Sequence, residues 1–336
     1  MTKFSLIILT YNSDYEKIIL TIKSILEQDL LEYEIIISDD GSQIDFFEEL
    51  RGFFTKKYFN NYKLIKNEHN LGTVNNLLKA IKQSKGKYVK GLAPADLLYN
   101  NDSLSKMYNY LTINNSKFAF GRMKSYYVDK KGILHMHEFF APKNLKEYKK
   151  NSKNRIKILR NLLLYKDWIS GVTMFFERDY VVEYLTCLSS ESKVKYCEDL
   201  IPVLILLNNG DIDFYNQCIV WYEYGDGIST DKNKENSKLL RKDHENFLMY
   251  LQQKYGKNEI VRKALKKNRK NSKNHLNRNN SYTKINNTWI RRLLIAINKP
   301  YLVFFKLETY FQAMKIEDRK SEKGFLNNNK SWFYKE

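Results

Sequence analysis

Apolar residues in this chain fall into two alternating spacings. "FSLIILT" and "YEIIISD" are near-continuous apolar runs, the pattern of strands covered on both faces of a sheet. Between them Ile18, Ile22, Ile25 and Leu26 recur at helical spacing. They follow "SDYE", which predicts a capping box in which Ser13 caps the first turn and Glu16 reaches back. An amphipathic segment runs on to about Lys57, and "YKLIKNE" predicts a third strand. "GTVNNLLKAIKQSKG" predicts a helix stopped by Gly86, and "KYVKGLA" a fourth strand. Strand and helix alternating over short connections predict an α/β fold with a mostly parallel central sheet flanked by helices.

After Asp96 the alternation weakens. "KFAFGRMKSYYVDKKGILHMH" predicts a strand and a hairpin turning at Asp129 to Gly132. "RIKILRNLLLYKDW" predicts a helix, "GVTMFFERDYVVEYL" a strand passing into a helix, and "EDLIPVLILLNNG" an apolar helix ended by Gly210. "IDFYNQCIVWYEYGDGIST" predicts a last strand with a polar exit. From about Asp231 the composition shifts to Lys, Asn and Glu. The expected organisation is one domain over 1–230 and a helical, basic C-terminal region over 231–336.

With 336 residues, 43% of them hydrophobic, the chain can build a sizeable core. Cys187, Cys197 and Cys218 have no metal-ligand spacing, which predicts reduced thiols in a cytoplasmic protein. The opening "MTKFSLIILTYNSDYEK" has the features of neither a signal peptide nor a membrane anchor. The net charge of +19 is uneven: Lys257 to Arg292 holds twelve Lys and Arg against the single acidic Glu259. Such a patch attracts anions. No nucleic-acid motif accompanies it, so no specific nucleic acid is expected as partner. "WIRRLLIAINKPYLVFFKLETYF" (289–311) is too interrupted to span a bilayer. Its aromatics and basic flanks suit an element lying on an anionic membrane surface.

In parallel α/β sheets ligands bind beyond the carboxyl ends of the strands. Polar clusters stand at three such ends: Thr10-Tyr11-Asn12, Asp39-Asp40-Gly41-Ser42, and Asp96. "NEHNLGT" adds Asn70 and Gly72 before the third helix, and "CEDL" puts Glu198 and Asp199 at a helix start. Each also has a plain structural reading. "DDGS" is a good turn, Gly72 can serve the backbone alone, and acidic residues favour helix N-termini.

Taken in order, "TYN", "SDDGS", "NLGT", "APAD" and "CED" resemble an inverting family 2 glycosyltransferase with the GT-A nucleotide-sugar fold, of the bacterial surface-polysaccharide type, over roughly residues 4 to 230. The resemblance implies an enzyme moving a sugar from a nucleotide diphosphate, UDP-linked, to a hydroxyl of a glycan or lipid-linked oligosaccharide. It gives Asp40 the base of the nucleotide, with Thr10, Tyr11, Asn12, Asp39, Asn70 and Gly72 around the donor. Asp96 aligns with the aspartate that touches a divalent cation, Mg or Mn, which would neutralise the departing diphosphate. Asp199 is the implied general base, with Glu198 beside it. Two departures stand out: Ala93 and Ala95 replace common acidic residues, and Gly225, followed by Asp226, stands where many relatives carry histidine. Membrane association at the inner face of the plasma membrane would suit a lipid-linked acceptor. Two other classes stay open: a catalytically degenerate relative that binds without turnover, and a basic membrane- or nucleic-acid-binding α/β protein. The Glu198-Asp199 pair favours the enzyme, because neither alternative needs a base there.

Overall fold

The computed structural model describes residues 2–129, 131, 134–137, 141–149, 154–225, 227–228 and 234–277. Its first half is β1 (Phe4–Thr10), α1 (Tyr15–Leu26), β2 (Tyr33–Asp39), α2 (Phe47–Lys56), β3 (Tyr62–Lys66), α3 (Thr73–Lys82) and β4 (Tyr88–Leu92). The four strands pair in parallel in the order β3-β2-β1-β4. Their runs are apolar throughout because both faces are covered. Ile7, Ile36 and Val89 pack on one side with Val74 and Leu77 of α3. Leu6, Ile8, Ile35 and Ile37 pack on the other with Ile18 of α1 and Leu50 of α2. Each such fully buried side chain contributes about 1.5–3 kcal/mol.

The second half comprises β5 (Leu97–Leu98), α4 (Ser103–Ile113), β6 (Phe118–Val128), β7 (Leu134–His137), α5 (Arg155–Tyr165), β8 (Met174–Glu177), α6 (Arg178–Thr186), α7 (Ile201–Leu207), β9 (Asp213–Glu223), α8 (Lys234–Tyr255) and α9 (Glu259–Asn277). It extends the same sheet as β4-β8-β6-β9-β5, with β7 on β6. Here only β6–β9 is parallel; β4–β8, β6–β8, β6–β7 and β5–β9 are antiparallel. The sheet is therefore mixed, and the parallel expectation holds for its first four strands. Antiparallel neighbours need no crossover helix, and β6 runs into β7 directly as a hairpin, which interrupts the strand–helix alternation after Asp96.

Three local expectations change. The hydroxyl of Ser13 accepts from the N–H of Tyr11 at 3.2 Å, and α1 starts at Tyr15 with Asp14 as an N-cap that makes no side-chain bond, so no capping box forms. Gly86 does not end α3; a Cβ there would lie 2.4 Å from the N of Ser5, so its role is close packing on β1. After α7 the left-handed residue is Asn209, at φ 61°, and not Gly210.

The composition break near 230 is not a break in packing. Phe247, Tyr250 and Leu251 of α8 and Val261 and Ala264 of α9 are buried in the cluster that contains Ile7. Among the described residues no helix is long and apolar enough to cross a membrane. The 289–311 segment, Gly132 and Asp226 lie outside the described residues.

Candidate active site

Strand order reverses at β1, whose neighbours are β2 on one side and β4 on the other. Such a reversal opens a crevice at the carboxyl ends of the strands. A cavity of about 1300 Å³ lies there. It is bordered by Tyr11, Asn12, Asp40, Asn70, Asp96, Glu198 and Asp199, drawn from five separate parts of the chain.

Thr10, Asp39 and Gly72, expected around a donor, are not among the bordering residues. Their hydrogen bonds explain why. The hydroxyls of Thr10 and Ser42 donate to Asp39 Oδ1 at 2.8 and 2.5 Å, and the N–H of Ser42 donates to Oδ2 at 2.8 Å. Asp39 is only 1% exposed and locks the end of β1 to the turn after β2. Gly72, at φ +85°, is wedged against Lys195; a Cβ would lie 2.7 Å from that carbonyl oxygen.

Asp40 stands between frame and cavity. Its Oδ1 accepts from Asn67 Nδ2 (3.0 Å) and the N–H of Leu71 (2.9 Å), and its Oδ2 from the N–H of Gly72 (2.9 Å). Asn70 Oδ1 accepts from the same Gly72 N–H at 3.0 Å. One carboxylate thus fixes the "NLGT" loop, and its remaining lone pairs are what it can offer a ligand.

Asp96 is 3% exposed, and its Oδ2 accepts from the N–H of Ala93 at 2.9 Å. Burial pushes its carboxyl up to about 7, against the lowering effect of backbone hydrogen bonds and of Lys90. Lys90, in the middle of β4, is itself buried; its ammonium donates to the carbonyl of Val172 and lies 4.6 Å from the centre of the Phe175 ring. Burial pushes it down to about 7. Nearby, Lys17 of α1 holds both carboxylate oxygens of Glu223 at 2.7 Å. Ala93 and Gly225 border the cavity with no carboxylate, while Ala95 is buried on Tyr126 and Trp221. Among the described residues no group of three His, Cys, Asp or Glu side chains could hold a metal by itself. A divalent cation for which phosphate oxygens supply most of the ligands needs only one or two protein carboxylates, and Asp96 is a carboxylate that borders the cavity.

Glu198 and Asp199 form a 3-10 turn, Glu198–Leu200, that leads into α7. Glu198 rests on Gly171, where a Cβ would lie 2.2 Å from Oε1, so a glycine there makes room for the carboxylate. Both carboxyls are pushed up by burial. The charge of Asp199 adds to the rise on Glu198, whereas His244 offsets the rise on Asp199. The backbone just before the pair is held from α8: Asp243 Oδ2 accepts from the N–H groups of Lys195, Tyr196 and Cys197 at 3.1, 2.6 and 3.2 Å. Trp168 borders the cavity with its ring 5.5 Å from that of His244.

Sequence reasoning missed Lys90, Asp243, His244 and the Lys17–Glu223 pair. Lys90 had one available signal, a lone cation inside an otherwise apolar strand. Asp243 and His244 had none, because they sit in a helix whose sequence reads as a solvated, charged surface.

The family model for glycosyl transferase family 2 matches residues 5–185. No curated protein sequence matches the chain. Among solved structures, S. aureus TarS 1-349 in complex with UDP is 19% identical, over 73% of this chain and 65% of that one, with a TM-score of 0.45. TarS 1-349 in complex with UDP-GlcNAc is 20% identical over 73% and 66%, with a TM-score of 0.48. GalNAc-T7 with UDP, GalNAc and Mn2+ is 15% identical over 66% and 44%, with a TM-score of 0.49. The chain thus spans just under two thirds of those two TarS chains.

Proposed function

This chain belongs to glycosyl transferase family 2, and from that premise we propose that it transfers a sugar, with inversion, from a nucleotide diphosphate to an acceptor hydroxyl. The observation that carries the proposal is the convergence of Asp40, Asp96, Glu198 and Asp199 on one cavity at the strand ends. The donor is UDP-linked in this reading, with its base toward Tyr11, Asn12 and Asp40 and its diphosphate toward Asp96. When bound, a divalent cation, Mg or Mn, on Asp96 neutralises charge that develops on the diphosphate.

The chemistry left to the protein is proton removal and orientation. Asp199 in its ionised form takes the proton of the acceptor hydroxyl. The oxygen of that hydroxyl forms a bond to the anomeric carbon from the face opposite the diphosphate. The carbon–oxygen bond to phosphate breaks as the nucleotide diphosphate leaves with the electron pair. Glu198, whose carboxyl holds its proton to higher pH, donates a hydrogen bond to the acceptor or to Asp199 and does not compete for the same proton. A glycan or lipid-linked oligosaccharide is the proposed acceptor. The basic C-terminal region, with Arg262, Lys263, Lys266 and Arg269 exposed on α9, is its contact with an anionic membrane at the cytoplasmic face.

The test is nucleotide release from a panel of nucleotide sugars, with and without Mg and Mn. Wild type should release nucleotide in a cation-stimulated reaction. Asp199→Asn should lower kcat by about 10³-fold or more, and Asp96→Asn by about 10²-fold. Folded wild type and Asp199→Asn with equal rates would remove Asp199 from its role. Nucleotide-sugar binding with no release by wild type would instead favour the binding-only relative that Ala93 suggests.

A further inference from the structure

Two neighbouring residues of α8 lie beside the segment that leads to the candidate base, outside the stretch that carries the family motifs. Asp243 is 3% exposed and uses one oxygen to accept three consecutive backbone N–H groups, those of residues 195–197. A single buried carboxylate bound three times in this way pins a peptide segment tightly, because each charge-assisted bond is stronger than a neutral one. The pinned segment ends one residue before Glu198.

The next residue, His244, borders the cavity together with Glu198 and Asp199. Its Nδ1 lies 2.8 Å from the carbonyl oxygen of Leu240, one turn earlier in α8. A carbonyl can only accept, so Nδ1 is the nitrogen that donates to it. The ring is further confined by Trp168 and by the thiol of Cys197, 3.9 Å from Nδ1. The charged or titratable groups around this point are Glu198, Asp199, Asp243, Cys197 and Tyr196, with Lys143, Lys166 and Asp167 also bordering the cavity. Apart from the two lysines, His244 is the one group among these that can bring positive charge to the carboxylates.

We propose that Asp243 and His244 are positioning residues for Asp199: Asp243 fixes the backbone that leads into it, and His244 favours its ionised form. The proposal rests on the reading of Asp199 as base. It adds that α8, which composition assigns to an appendage, completes the active site. The opposing effect of His244 on the burial-raised carboxyl of Asp199 has the sign this role requires.

Two readouts test it in the full chain. The first needs no activity: the side-chain carboxyl carbon of Asp199, isotopically labelled and identified by its loss in Asp199→Asn, is titrated by NMR in wild type and in His244→Gln. Its midpoint should rise by about half a pH unit or more in the variant, since an opposing charge is gone. The second is steady-state kinetics. His244→Gln should lower kcat about tenfold, move its acid limb to higher pH by the same amount, and leave KM for the nucleotide sugar within about twofold. Asp243→Asn, which keeps the shape but weakens the three bonds, should lower kcat with donor KM unchanged. An unchanged Asp199 titration overturns the role of His244, and losses confined to donor KM overturn that of Asp243. If wild type turns over no nucleotide sugar, the functional reading fails while the titration still decides the His244–Asp199 coupling.

Discussion

Asp96 shows how one buried carboxyl ties stability to chemistry. Its folded-state pKa is raised to about 7, so the folded chain keeps a proton that the unfolded chain has released. The stability it contributes is full below the ordinary value of 3.8 and is lost as pH rises through 7. Lys90, held down to about 7, stays charged across most of that window and relieves part of the loss. Asp96→Asn removes the titration. Without cation, the variant should gain about 1–2 kcal/mol on wild type between pH 5 and pH 7, measured as the change in their unfolding free-energy difference. A constant difference across that range would show that Asp96 titrates normally. Under the proposed function the same substitution should lower activity, so stability and function would pull apart, as they do where a charge is buried for a ligand.

Elements rather than single residues join the two halves of the cavity. The loop before α3 touches the segment before Glu198 at two points: Gly72 packs on Lys195, and the N–H of Val74 donates to the Lys195 carbonyl at 2.8 Å. Gly72→Ala places a Cβ against that backbone and forces a left-handed φ on alanine. It should cost about 2–4 kcal/mol in chemical denaturation and lower kcat as well, because neither loop can yield without moving the other. Gly171 makes a contrast, since its Cβ would meet only the flexible end of Glu198. The polar residues at strand ends were legible because their setting is local: an apolar run, a turn, a carboxylate. The "NLGT" contact with Lys195 was not, since the two stretches lie more than 120 positions apart and neither carries a mark of the other.

At the scale of the whole molecule, the first four strands and their helices followed from apolar spacing alone, because a parallel sheet covered on both faces demands it. The rest of the sheet was harder to foresee. Of the later pairings only β6–β9 is parallel, β6 and β7 follow one another as a hairpin, and β5 is two residues long. The helix α8 was expected only as part of a basic, helical C-terminal region, yet Phe247 and Leu251 bury one face of it and Asp243 is buried as well. Hydrogen bonds run from Asp40 to Gly72, then from Val74 to Lys195, and on from residues 195–197 to Asp243. A ligand that pulls on Asp40 therefore disturbs the strand of peptide bearing Asp199 before any acceptor has arrived. Under the proposed function such wiring predicts an order of arrival: the sugar nucleotide first, the acceptor second, and the spent nucleotide leaving last. Product inhibition should then be competitive for nucleotide against donor and noncompetitive against acceptor, and a random pattern would mean that the two ends of this chain of bonds move independently.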